Sequence, residues 1–164
     1  SLGRNPHTPA VEVLLQLLQE DSNAYVRKAA AWTLGNYPGA PVLKPLIHAL
    51  QNDVAAVRIW ASGSLAKAGA TSVEKADYAS TELLLSLQID SEPVVRSNCI
   101  WALGRLYDIL SEARKQELVD AFVNVLIQDD EVSVRDEARS ALETLENPSV
   151  GKRLQALADE GTLI

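Results

Sequence analysis

Arg27, Arg58, Arg96 and Arg135 stand 31, 38 and 39 residues apart, and each follows an aspartate by five or six positions, at Asp21, Asp53, Asp90 and Asp129. A regular set of carboxylates and guanidiniums has two uses. It can present alternating charge to a ligand, or it can hold the protein together. In the second case each acidic residue caps a helix by accepting from its free N–H groups, and each guanidinium forms a fork with a carboxylate of the neighbouring unit. Repetition in every copy favours the second use, so the aspartates are expected as N-caps and the arginines as rungs of a structural ladder. Other reactive groups are sparse. Cys99 is the single cysteine, so no internal disulfide forms, and His7 and His48 are too far apart in sequence to show metal-ligand spacing. No Ser-His-Asp or Cys-His arrangement, paired acids or phosphate-binding loop stands out. No catalytic residue, metal or cofactor is expected.

The elements that position these charges come from the same repetition. Aligned on the Val-Arg pair, four stretches share one pattern: DSNAYVRKAAAWTLGNY, NDVAAVRIWASGSLAKAG, DSEPVVRSNCIWALGRL and DDEVSVRDEARSALETL. Self-similarity at this period marks stacked units that cannot bury their faces alone. Four-residue spacing puts Val26, Ala30 and Leu34 on one helix face, and likewise Val57, Ala61, Leu65; Val95, Cys99, Leu103; and Val134, Ala138, Leu142. A Leu-rich helical pattern precedes each copy, as in PVLKPLIHALQ and STELLLSLQ. Two antiparallel helices per unit, stacked on the next pair, make an all-α, right-handed α-solenoid. The spacing predicts a single array over 1–164, with a repeat tail at 1–7 and repeats at about 8–38, 39–69, 70–108 and 109–146. A capping helix follows at 147–161. The opening SLGRNP resembles the end of a second helix, so a fragment of a longer array is expected. Gly35 and Gly104 are expected to end helices.

Positions that the pattern leaves open carry the candidate binding residues. At about 100° per residue, the positions two before, one after, five after and nine after each arginine point away from the core. They read Tyr25, Lys28, Trp32, Asn36; Ala56, Ile59, Gly63, Lys67; Val94, Ser97, Trp101, Arg105; and Ser133, Asp136, Ser140, Thr144. Trp60 falls on the shoulder of the same surface. With the second helices expected on the concave side of the array, this face should hold a protein partner through Tyr25, Lys28, Trp32, Ile59, Trp60, Trp101 and Arg105. Tryptophan, tyrosine and arginine are the types that anchor interfaces. The competing role for the tryptophans is to fill gaps between neighbouring second helices. Cys99 takes the place of alanines in other copies and reads as a small buried hydrophobe.

The net charge of −7 over 164 residues disfavours the counterion release that drives proteins onto nucleic acid. No apolar run approaches the roughly 20 residues that span a bilayer, and no signal peptide opens the chain. The expectation is a cytoplasmic protein with no nucleic-acid partner and no membrane insertion.

The pattern D-x-x-x-x-VR-x-x-A-x-x-x-LG, with PLIHAL and similar helices between copies, resembles HEAT repeats of the phycobilisome-lyase type over essentially the whole chain. AAAWTLGNY at 29–37 resembles an aromatic-rich stretch of cyanobacterial bilin lyase subunits. YVRK, AVRIWAS, VRSNCIWALG and LQALADEGTLI are similar to cyanobacterial HEAT-repeat proteins that partner an A-type iron–sulphur scaffold. The resemblance implies a non-enzymatic scaffold or adaptor in iron–sulphur or phycobilisome assembly. The alternative it implies is a bilin lyase or isomerase subunit that binds a tetrapyrrole and a phycobiliprotein. It also implies that a bilin or an iron–sulphur cluster could be shared with a partner, and that Cys99 matches the cysteine of the family's SNC stretch.

Overall fold

A computed structural model describes residues 8–163, so the expected repeat tail at 1–7 and His7 lie outside the described residues. Nine α-helices and one short 3-10 turn make up the regular structure there, with no strand among the described residues. They are α1 (Thr8–Glu20), α2 (Ala24–Leu34), α3 (Leu43–Asn52), α4 (Ala55–Gly69), α5 (Val73–Ile89), α6 (Pro93–Leu106), α7 (Glu112–Gln128), α8 (Val132–Thr144) and α9 (Pro148–Asp159). The 3-10 turn covers Tyr107–Ile109. Two or three residues join the helices within each of the first four pairs, which forces them antiparallel. The pairs stack in order into an α-solenoid.

Two layers result. The first helices α1, α3, α5 and α7 form one, and the second helices α2, α4, α6 and α8 form the other. The second helices pack on one another far more extensively than the first helices do. Small residues buried on the second helices help: Ala30 and Ala31, then Ala61, Ser62 and Ser64, then Cys99 and Ala102 stand beside larger ones such as Leu65, Ile100 and Leu106. The Ser64 hydroxyl donates to the Ala31 carbonyl across the junction at 2.6 Å. A Cβ on Gly35 would stand 2.8 Å from that same hydroxyl, so the absence of a side chain is what lets α4 approach the end of α2. The first helices supply bulk instead, with Leu46, Leu50, Leu83, Leu118 and Phe122 all buried. Each leucine so buried contributes about 1.5–3 kcal/mol.

The ladder forms between units. Arg27 pairs with Asp53 at 3.0 Å, and Arg58 with Asp90 and Arg96 with Asp129 at 2.9 Å each. The Arg58 and Arg96 forks each use Nε and Nη2. The remaining Nη1 reaches back to the carbonyl of the arginine's own turn, at Asp21, Asp53 and Asp90. Arg135 makes that inner bond, to the Asp129 carbonyl, but no ion pair with a following unit among the described residues. The N-cap role expected for the aspartates is corrected. Asn23, Val54, Glu92 and Glu131 occupy the N-cap positions, while Asp53, Asp90 and Asp129 end the preceding helices. From there Asp21, Asp90 and Asp129 each accept the backbone N–H two residues on, which shapes the turn.

Several smaller expectations change. Gly104 lies inside α6 and ends nothing, whereas Gly35 does end α2. Val26 is half-buried, unlike its counterparts Val57, Val95 and Val134, because α2 has a described second helix on one side only. In α9 Val150 is buried but Ala158 is exposed. Its Arg153 bonds Asp120 of α7 at 2.6 Å, and Asn147 just before it donates to the Tyr107 hydroxyl at 3.0 Å.

Candidate protein-interaction face

The open positions of α2, α4 and α6 form a ridge of aromatic and cationic side chains. Tyr25 is 73 % exposed, Trp32 47 % and Trp101 45 %, although all three offer large apolar surfaces that water solvates poorly. Trp60 and Ile59 are half-buried and pack against the core, and Lys28 is half-buried as well. The expectation that Ile59 points well away from the core is therefore corrected. It sits on the flank of a helix that has neighbours on both sides. Arg105 and Lys67 are exposed.

Trp32 and Trp60 meet edge to face, with centroids 4.7 Å apart and planes at 79°. This is a favoured aromatic arrangement worth about 0.5–1.5 kcal/mol beyond burial. It explains the half-burial of Trp60: the ring from α4 leans toward α2 and fills part of the junction. The cations then rest on the rings. Lys67 Nζ lies 4.6 Å from the Trp32 centroid, and Lys28 Nζ lies 5.3 Å from Trp60 and 5.6 Å from Tyr25. The Arg105 guanidinium lies 5.5 Å from the Trp101 centroid, the two residues standing one turn apart in α6. A Cβ on Gly63 would stand 4.0 Å from the Trp101 ring, so the bare position in α4 leaves Trp101 room beside it. The structure thus links Tyr25, Lys28, Trp60, Trp32 and Lys67 through successive ring contacts and leaves Trp101 with Arg105 as a second group.

The opposite layer has a feature that the repeat pattern did not suggest. Between α5 and α7 lies a groove of about 830 Å³ with Leu84, Leu85, Ala121 and Val125 among its lining. Most of its acidic residues are engaged: Asp90 and Asp129 belong to the rungs, and of the lining acids Asp130 alone has no hydrogen bond or ion pair among the described residues. Glu82 accepts from Gln51 at 2.6 Å, Glu117 from Arg114 at 2.7 Å, and Asp120 from Arg153. The extra length of α5 and α7, visible in the 38- and 39-residue spacings, was the one signal pointing there.

Electrostatics outside the face are structural. At Asp129 burial works to raise the pKa, but the Arg96 bond and the Glu131 N–H outweigh it and hold the carboxyl below its ordinary range. The Asp129 bond in turn raises Arg96, against the opposing effect of burial. Asp77 is held low chiefly by hydrogen bonding from Ser111, whose N–H is 3.0 Å away. Cys99 is fully buried, and desolvation pushes its thiol far up. Among the described residues no group of His, Cys, Asp and Glu is placed to hold a metal ion, and no helix is long and apolar enough to cross a membrane.

Two solved structures share the fold, each with a TM-score of 0.62 and 22 % identity over 93 % of this chain. One is an engineered protein, 69 % of which is covered. The other is a designed armadillo repeat protein in complex with the peptide (KR)4, 82 % covered. No curated protein matches significantly. The family model for HEAT repeats matches residues 1–66 and 80–162, and with the stacked helix pairs and the rungs between them already in view, the chain belongs to the HEAT-repeat family.

Proposed function

We propose that the protein is a non-enzymatic scaffold that holds a polypeptide partner on a concave face formed by its second helices. The observation that carries this reading is the exposure of Trp32 and Trp101 on the one ridge where Tyr25, Trp60 and three cations also gather. The closer packing of the second helices supports concavity on that side, since the layer with the shorter repeat lies inside the curve. The peptide bound by the designed armadillo neighbour is a precedent for such use of a helical repeat array.

The narrower reading, assembly of iron–sulphur or phycobilisome proteins, comes from the short phrases quoted above. Full burial of Cys99 weighs against this thiol as a cluster ligand, because a thiolate is what binds iron. A tetrapyrrole on the aromatic ridge is the second reading, favoured by the cations that its propionates would need. Affinity capture comparing the protein with a Trp32→Ala/Trp101→Ala variant tests the main proposal. Proteins retained by the former should be lost by the latter, with affinity falling at least tenfold while stability falls much less than for Leu103→Ala. Identical retention would overturn the assignment of the face. Adding phycocyanobilin and recording the visible spectrum tests the second reading, which fails if the spectrum does not shift.

A further inference from the structure

Charge is distributed against the overall balance. The chain carries seven more acidic than basic groups, yet the open positions of α2, α4 and α6 hold Lys28, Lys67 and Arg105 and no acid. Elsewhere Arg27, Arg58 and Arg96 are paired in the rungs and Arg114, Lys115, Arg139 and Arg153 lie within 3.2 Å of a carboxylate, while Lys44, Lys75, Arg135 and Lys152 have neither an ion pair nor a ring contact among the described residues. Lys28, Lys67 and Arg105 have no ion pair among the described residues; each rests on an aromatic ring instead. A ring shields one side of a cation from water and restrains it, while its remaining N–H groups stay free to donate. Such a group gains more from an incoming carboxylate than a freely hydrated lysine does, because part of its desolvation and ordering has already occurred.

We infer that this face takes an acidic segment of an extended polypeptide, with carboxylates on Lys28 and Lys67 and apolar side chains against the exposed surfaces of Trp32 and Trp101. The inference rests on the proposed protein-binding role of the same ridge and adds the chemistry of the partner. The fourth unit marks where the segment ends. Asp136 takes the open position after Arg135, and Arg105 shares a hollow with Asp108, Glu137 and Glu146. An acidic chain is attracted across α2, α4 and α6 and repelled at α8. At about 8–10 Å per stacked helix, the run from α2 to α6 is about 20 Å, or roughly six extended residues. The basic peptide of the armadillo neighbour is the opposite ligand and should be repelled here. The α5–α7 groove is lined by six acids, Asp130 among them, against Arg96 and Arg114, so it offers an acidic segment no competing site.

Labelled peptides (EEL)3, (QQL)3 and (KKL)3 test this by fluorescence anisotropy at low and moderate salt. The acidic peptide should bind at least tenfold tighter than the neutral one, lose that advantage as salt rises, and weaken severalfold with Lys28→Ala or Lys67→Ala. Lys44→Ala, at an exposed position of α3, should leave it unchanged. Equal binding of acidic and neutral peptides, both sensitive to Trp32→Ala, would overturn the charge preference while leaving the protein-binding role intact. Preference for the basic peptide, or no binding of any, would overturn the inference outright.

Discussion

The two helix layers are built by one repeating pattern and end up with opposite surfaces. In the second-helix layer, small residues at the junctions draw α2, α4 and α6 together, so large side chains are pushed onto the outer ridge and cations settle on their rings. In the first-helix layer the helices pack on one another less, and between α5 and α7 lies a groove in which Glu82, Glu117 and Asp120 find partners within the protein. The more closely packed layer is the one that carries the exposed Trp32 and Trp101.

The most damaging way to break this comparison is to remove the core that both layers share. Leu103→Ala should cost about 2–5 kcal/mol in chemical denaturation, since Leu103 is fully buried and its loss leaves a cavity. Trp101→Ala, four-tenths or more exposed, should cost far less. Arg58→Ala tests the ties between units. It leaves Asp90 and the Asp53 carbonyl short of a donor and should lower stability by about 1–3 kcal/mol; unchanged thermal unfolding would show that the rungs are merely solvated. Gly35→Ala sharpens the role of the tight junction. The new methyl meets a buried, hydrogen-bonded serine and should cost about 1–3 kcal/mol, with part recovered by Ser64→Gly. Gly104→Ala makes the same chemical change where nothing lies within 4 Å, and should raise stability by about 0.5–1 kcal/mol. A loss at Gly104 equal to that at Gly35 would mean that crowding is not what distinguishes the two sites.

Acid offers a gentler probe of the ladder. The folded pKa of Asp129 lies below its ordinary value of 3.8, so the unfolded chain takes up a proton first. The stability contributed is complete above that ordinary value and is lost as pH falls through the lower folded pKa. Asp129→Asn should flatten this acid limb in denaturation curves taken below about pH 4, the ordinary carboxylate range.

Much of this was legible before any coordinates. The valine, the small residue and the leucine around each arginine lie a turn apart, and from Val57 through Leu142 every member of those triples is buried. The rungs were legible too, because an Asp and an Arg repeating in step must meet in successive units. What escaped depended on distances between units. An aspartate five or six residues before an arginine suits both a helix start and the turn preceding it; its pairing with the previous unit places it in the turn. Ile59 and Trp60 point between two neighbours that the single-helix projection leaves out. The α5–α7 groove depends on how far apart two helices stand when nearly 40 residues separate them, which no local pattern records.

The rungs also bear on how the chain finds its fold. Asp53 lies 26 residues beyond Arg27, Asp90 32 beyond Arg58 and Asp129 33 beyond Arg96. Each closes a loop no longer than about one unit, and loop-closure entropy grows only slowly with length. No rung joins distant parts of the sequence, so contact order stays low and folding can start at any adjacent pair and spread outward. A nascent chain would lock each unit as soon as the next turn emerged, without waiting for its far end.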